Sequence, residues 1–350
     1  MKRLVICCDG TWNRADQEHD GEPCPTNVIR LAYRVAKRDG ATLQVVYYDQ
    51  GVGTGNVLDR YAGGASGEGL EDNIHDAYRF LVANYELGDE IYLFGFSRGA
   101  FTARSIGGLI RKCGILRREH IRQYRPALAL YHAVHHPDDP IPTKFREDFS
   151  LGGAEATPIK LIGVWDTVGA LGIPLPGLSN LKKYQFHDTQ LSGSVQFAYH
   201  ALAVDEHRGP FAPTLWEFKP KEGQTIEQVW FCGAHSDVGG GYPERGLSDI
   251  ALGWMLEKAR GAGLALDEAV LNANPLHPDH RQEPHNSKKG VYRLAPGIDR
   301  PIGKAVNAPA EDDATQSLHE SVKQRWDDVP SYRPPALKDY FKLIGDSRAT

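Results

Sequence analysis

Three residues of this chain have types that share one chemistry, and each sits just past a short apolar run. Ser97 lies in Gly95-Phe96-Ser97-Arg98-Gly99 after Ile91, Tyr92, Leu93 and Phe94. Asp166 follows the run from Ile159 to Trp165, and His235 follows Gln228 to Cys232. A serine hydroxyl is a poor nucleophile until a base takes its proton, and an imidazole is the common base. A carboxylate fixes the imidazole tautomer and stabilises its charged form. Ser, Asp and His in that chain order therefore point to nucleophilic attack on a carboxylic ester. His200 and His207 compete for the base, and Asp205 and Asp237 for the acid.

The pentapeptide around Ser97 recurs by chance in a chain with 37 glycines, so its flanks decide. The apolar run before it fits a buried central strand. The residues after it, Ala100, Phe101, Ala103, Ile106, Leu109 and Ile110, repeat at helical spacing. Ser97 thus falls at a strand-to-helix corner, the nucleophile elbow. Its glycines have a steric role, since a strained corner needs neighbours without Cβ atoms where strand and helix approach.

The elements around the corner alternate. Arg3 to Cys8 reads as a first strand ending at Asp9-Gly10-Thr11-Trp12-Asn13. Thr26 reads as the N-cap of a helix through Val28, Ile29, Leu31, Ala32, Val35 and Ala36, which Gly40 stops. Leu43 to Tyr48 is a second strand, followed by a glycine-rich loop from Gly51 to Gly69. Leu70, Ile74, Ala77, Tyr78, Leu81, Val82 and Tyr85 then mark an amphipathic helix that Gly88 closes. Gln196 to Val204 fits helix or strand. Ser248 is expected to cap a helix through Ile250, Ala251, Trp254, Met255 and Ala259.

Such alternation implies an α/β fold with a mostly parallel central sheet and helices on both faces, with functional loops at the carboxyl ends of the strands. With the elbow, the fold class expected is α/β-hydrolase-like. In that fold the oxyanion hole joins the N–H after the nucleophile to one from a loop two strands back. This nominates the amide of Arg98 with an amide at Gly10 or Thr11. Asp9-Gly10-Thr11 also resembles a haloacid-dehalogenase phosphatase loop, but Cys7 stands where its nucleophilic aspartate belongs. Two domains are expected: a catalytic domain over 1–265 and a C-terminal extension over 266–350, without strong periodicity, packed on its surface.

Composition excludes other classes. A net charge of −5 gives no footprint for nucleic acid, and no apolar run approaches the roughly 18 residues of a membrane helix. Membrane contact would therefore be transient and at the surface. Five scattered cysteines (Cys7, Cys8, Cys24, Cys113 and Cys232) lack metal-ligand spacing and fit reduced thiols in the cytoplasm. The N-terminus is too short in apolar residues for a signal peptide and reads as a first strand, so a cytoplasmic location is expected, with delivery by a secretion system that uses no signal peptide left open. His132, His135, His136, Asp138 and Asp139 are interrupted by Pro137 and Pro140 and read as a helix end and turn. No metal or cofactor is expected, and nothing in the sequence bears on oligomeric state.

Four stretches, Asp9 to Asn13, Gly95 to Ala100, Gly163 to Val168 and Gly233 to Gly241, resemble an uncharacterised α/β-hydrolase family. That family includes the catalytic domain of type VI secretion phospholipase effectors, and the likeness covers roughly Met1 to Ala265. The resemblance implies a serine esterase or lipase in which Ser97, Asp166 and His235 form the triad, with lipid or phospholipid esters as the expected substrates. Its setting would be an effector or a housekeeping esterase. The alternative is a non-catalytic binding protein on the same fold. Val52, Val57, Leu58, Tyr61, Leu171, Ile173, Leu175 and Leu178 would wall an acyl pocket.

Overall fold

In the computed structural model the described residues are 1–10, 13, 16–19, 21–51, 67–169, 191–217, 219–288, 297–305 and 311–349. The chain opens with strand β1 (Lys2–Cys8), a two-residue hairpin of β2 (Glu18–His19) and β3 (Glu22–Pro23), and helix α1 (Asn27–Arg34). Strands β4 (Arg38–Asp39) and β5 (Thr42–Asp49), helix α2 (Gly67–Asn84), strand β6 (Glu90–Phe96) and helix α3 (Arg98–Cys113) follow. Helices α4 (Tyr124–His132) and α5 (Pro140–Phe149) precede strands β7 (Ile159–Trp165), β8 (Val195–Ala203) and β9 (Thr225–Phe231). The remainder holds α6 (His235–Gly239), α7 (Gly246–Gly261), α8 (Glu268–Ala273), β10 (Gln316–Leu318), α9 (Glu320–Asp328) and α10 (Pro335–Leu343).

One sheet runs in the order β10-β9-β8-β7-β6-β1-β5-β4, parallel throughout except for the antiparallel edge pair β4–β5. Its register aligns the strand ends: Cys8 pairs with Gly95, Phe96 with Trp165, Trp165 with Ala201, and Ala203 with Phe231. The residues just past β1, β6, β7 and β9 therefore emerge along one edge. That edge collects Asp9, Ser97, Asp166 and the loop leading to His235.

Alternation along the strands builds a core on each face. Leu4, Ile6, Ile91 and Leu93 pack with Tyr78 and Leu81 of α2 and Ile106, Leu109 and Ile110 of α3. Val5, Cys7, Tyr92 and Phe94 face the other way, onto Val28 and Leu31 of α1 and Leu252 and Met255 of α7. Each such side chain contributes roughly 1.5–3 kcal/mol of burial, which holds α3, and so the corner at its start, against the sheet. The result is the α/β-hydrolase-like architecture read from the alternation. Among the described residues, no helix is long and apolar enough to cross a membrane.

Several local expectations need correction. Helix α1 stops at Arg34, where Val35 turns extended, and Gly40 instead takes a left-handed φ of 56° in the turn joining β4 to β5. Helix α7 begins at Gly246, with Ser248 inside its first turn donating to Arg245 O. The 196–204 stretch is strand, hydrogen-bonded between β7 and β9. The segment past Pro275 does more than cover the surface. β10 extends the sheet alongside β9, and Ile302, Leu318, Val322, Trp326, Leu337 and Phe341 build a third core on Trp230 and Leu202. All five cysteines are buried and free.

Candidate active site

Ser97 occupies the corner between β6 and α3 with φ 58° and ψ −122°, a conformation strained for any residue with a Cβ. Its side chain does not cap the helix, although serine is a favoured capping residue. The corner closes only because Gly95 and Gly99 are bare. A Cβ at Gly99 would lie 2.2 Å from Cys8 O and 2.4 Å from Asp9 O, and one at Gly95 would lie 2.4 Å from Gly99 O. Backbone carbonyls cannot yield that space, so α3 docks against the end of β1 through glycine. Ser97 N also donates to Trp165 O at 3.0 Å, tying the elbow to the strand that carries the acid.

Asp166 follows β7 with a positive φ of 37° and is fully buried. Its Oδ2 lies 2.6 Å from His235 Nδ1, while Oδ1 accepts from Ala203 N at 3.1 Å. Arg300 grips both oxygens, Nη1 to Oδ1 at 2.6 Å and Nη2 to Oδ2 at 3.1 Å. Burial alone would favour the neutral acid. The Arg300 guanidinium and the His235 hydrogen bond outweigh it and hold the carboxyl well below the usual carboxylate range.

His235 is the first residue of α6 and is 4% exposed. Its ring lies between Phe96, centroid 4.5 Å away, and Phe211, edge-on at 4.9 Å. Its backbone N–H donates to Glu206 Oε2 at 3.3 Å. Glu206 is itself buried and chelated by Arg208, through Nε to Oε1 at 2.9 Å and Nη2 to Oε2 at 2.8 Å. A Cβ at Gly239 would lie 2.0 Å from the Phe96 ring, so this glycine is what lets α6 close onto the elbow.

The rivals have other partners. His200 is a fully buried residue of β8, its Nε2 accepting from Thr167 N at 3.0 Å. Burial, and then the nearby Arg104, push it down to about 3, leaving it neutral. His207 lies on the exposed side of its loop, 3.3 Å from Ile298 O. Asp205 accepts from Gly233 N at 2.7 Å and Tyr332 Oη at 2.8 Å. Asp237 Oδ1 lies 2.6 Å from His285 Nδ1, and its Oδ2 accepts from Ala234 N at 2.9 Å.

The nominated oxyanion donors divide. Arg98 is the first residue of α3, so its amide stands at the helix N-terminus, one residue past Ser97. Thr11 lies outside the described residues. Gly10 needs correction as a donor: its N–H goes to the Asp9 carboxylate, 2.7 Å away at Oδ1. Asp9 is a buried hub that also accepts from Thr26 Oγ1 at 2.6 Å and Tyr48 Oη at 2.8 Å. Burial raises its carboxyl to about 6 in spite of those donors. Gly10 still sits against Ser97, since a Cβ there would meet Ser97 Cβ at 3.2 Å. Among the described residues, no group of three or more His, Cys, Asp or Glu could hold a metal ion, and His132 to Asp139 form a helix end and a turn. The proposed acyl wall, Val52 to Tyr61 and Leu171 to Leu178, lies outside the described residues.

Sequence reasoning missed Arg300, Glu206 as a buried support, and the Asp9 hub. The Asp9-Gly10-Thr11 motif marked the place of the hub but not its hydrogen bonds.

Comparison with known proteins adds relatives. The chain is 29% identical over 232 residues to the uncharacterized protein YEL023C of Saccharomyces cerevisiae, covering 60% of this chain and 32% of that one. A crystal structure of an uncharacterized Pseudomonas aeruginosa protein aligns with TM-score 0.45 and 19% identity, over 76% of this chain and 46% of the other. The Tle1 effector bound to the VgrG spike of the type 6 secretion system aligns with TM-score 0.38 and 21% identity, over 69% and 51%. The chain thus spans about a third of the yeast relative and about half of each solved structure. Residues 2–258 match the family described as T6SS, phospholipase effector Tle1-like, catalytic domain, and the chain belongs to that family.

Proposed function

We propose that the protein is a serine hydrolase of lipid carboxylic esters that works through Ser97, His235 and Asp166. The observation that carries this reading is the buried 2.6 Å contact between His235 Nδ1 and Asp166 Oδ2, next to a serine held in a strained strand-to-helix corner. With Nδ1 given to Asp166, Nε2 is left to take the Ser97 proton. Membership in a family of phospholipase catalytic domains supports a lipid ester as the substrate class.

The reaction follows from these roles. Ser97 Oγ bonds to the ester carbonyl carbon as its proton passes to His235 Nε2. The carbonyl oxygen takes the negative charge, and the Arg98 N–H at the start of α3 is the donor best placed to hold it. One such donor is worth roughly 3–4 kcal/mol in comparable sites. The carbonyl re-forms, the C–O bond to the alcohol breaks, and His235 returns the proton to the leaving oxygen. Water then repeats the sequence on the acyl-serine and releases the carboxylic acid. Asp166 stays ionised throughout and stabilises the imidazolium.

A fluorophosphonate probe should label the full chain, and Ser97→Ala should be folded yet unlabelled and inactive. The rate on p-nitrophenyl esters should rise with acyl length before levelling off. Equal labelling of the Ser97→Ala protein would refute the nucleophile. A folded wild type that neither labels nor hydrolyses any ester would favour the non-catalytic alternative.

A further inference from the structure

We propose that Arg300 is a positioning residue of the active site, supplied by the chain beyond the family-matched residues, which sets the angle of the Asp166 carboxylate toward His235. The inference rests on the triad reading above. The match to the family ends at residue 258, whereas the group that grips the triad acid lies 134 positions after it.

Geometry carries the case. The guanidinium meets Asp166 side-on, one nitrogen to each oxygen, in the two-point arrangement that planar fork and carboxylate favour. Ala203 N fills a further acceptor site on Oδ1, and His235 Nδ1 takes Oδ2. The carboxylate therefore cannot rotate without breaking several short contacts. The guanidinium is fixed in turn, donating to Ala203 O at 2.8 Å and Phe211 O at 2.5 Å. Its own segment is anchored: Ile298 N donates to His207 O at 3.0 Å, Gly303 N to Gln316 Oε1 at 2.9 Å, and Ile302 lies in the third core. Arg300 is 1% exposed and Asp166 fully buried. A buried ion pair is a poor device for stability, because apolar residues of similar volume do as well or better. Its place on the triad acid indicates a functional role.

Arg300 has a second effect, through charge. A buried cation beside Asp166 disfavours a proton on its carboxylate. The other charged or titratable groups facing the pair are few. Glu206 meets His235 N and is neutralised by Arg208; His200 is uncharged and bonded to Thr167, with Arg104 beyond it; Asp237, on the same helix as His235, is paired with His285. None of these replaces Arg300.

The test compares Arg300→Lys and Arg300→Met in the full chain, with pH profiles of kcat/KM on a p-nitrophenyl ester, kcat and KM separately, and melting curves. Arg300→Met should lower kcat roughly 100-fold with little change in KM, and move the acid limb of the profile up by about 1 pH unit or more. Arg300→Lys keeps the charge but loses the fork. It should leave the acid limb in place and cost roughly tenfold in kcat. Arg300→Met with an unmoved acid limb, or a folded Arg300→Lys with wild-type kcat, would overturn the proposal. If the methionine variant does not fold, the lysine variant alone decides by its kcat. Failure of the triad reading is seen separately, as a Ser97→Ala protein that is still labelled. Failure of this inference alone leaves Ser97→Ala and His235→Gln inactive while both arginine variants behave as wild type.

Discussion

The closest backbone-to-backbone packing in the site is between α3 and the end of β1, and replacing Gly99 by Ala tests what it does. The new Cβ would start 2.2 Å from Cys8 O and 2.4 Å from Asp9 O. Both obstacles are main-chain atoms of a central strand, so roughly 1 Å of separation between helix and strand is needed to reach van der Waals distance. Overpacking of a dense interior costs about 1–3 kcal/mol, and rigid obstacles favour the upper end. Alanine returns up to about 1 kcal/mol as the better helix former, for a net loss of about 2 kcal/mol. The same shift carries Ser97 and the Arg98 amide, and a 1 Å misplacement of reacting groups costs on the order of 100-fold in rate. Gly107 on the same helix is the internal control. A Cβ there would be crowded by the Ile162 Cδ1 methyl at 3.1 Å, a side-chain end that can turn aside, with the Ile159 and Leu93 Cδ1 methyls at ordinary contact distances of 3.6 and 3.8 Å, so Gly107→Ala should change stability by less than about 1 kcal/mol. Urea unfolding followed by tryptophan fluorescence gives the first quantity, and kcat/KM on a p-nitrophenyl ester the second. A Gly99→Ala protein as stable and active as wild type would refute the steric account of the elbow. Equal losses at Gly107 would show that the helix, and not the contact with β1, is being measured.

Two further predictions concern titrating groups. His200→Gln should keep fluorophosphonate labelling and most activity, since a glutamine oxygen can still accept from Thr167 N. His235→Gln should lose about 1000-fold or more, and the reverse ranking would reassign the base. Asp9 has its folded value raised by burial to about 6, above roughly 3.9 unfolded. The sign follows directly: its favourable contribution is complete below about pH 4 and is lost as pH rises through about 6, a swing of about 3 kcal/mol. Unfolding midpoints of wild type and Asp9→Asn at about pH 4 and pH 8 should therefore change in relative order or spacing, the wild type losing ground at the higher pH. A constant difference across that window would mean that Asp9 does not carry the strain assigned to it.

Local signals were strong enough to read the fold and the candidate site up to β9. The strands that lead to the candidates are seven residues long, and each candidate stands one to four residues past its strand end, so position along the chain reports position along the sheet edge. The failures share a cause, which is that their determinants are not local. Gly40 is a stop signal for a helix in sequence, but the helix has already ended at Arg34 and the glycine serves a turn between edge strands. Strand β10 is three residues long, too short to show a period, and forms because β9 offers it an open edge. Arg300 sits among prolines and charges with no repeat at all, and its partner lies 134 residues earlier, with strands β8 and β9 between them in sequence.

The oxyanion assignment shows the same limit at close range. Counting two strands back from the elbow lands on Gly10, and the structure does put Gly10 beside Ser97. Adjacency settles where an amide is, but not what it is bonded to. The Asp9 side chain folds back onto the next residue's N–H, and among the described residues it is buried without an ion-pair partner, so it gathers Gly10 N, Thr26 Oγ1 and Tyr48 Oη around itself. Asp166 meets the opposite circumstance. It is equally buried, yet Arg300 and His235 take its charge, and its carboxyl is driven down where that of Asp9 is driven up. Two aspartates at strand ends on either side of β6, each one residue past its strand, are thus separated by one guanidinium from a distant part of the chain. That difference in environment leaves Asp166 ionised beside the imidazole, as the proposed triad needs, and leaves Asp9 bonded only to neighbouring donors.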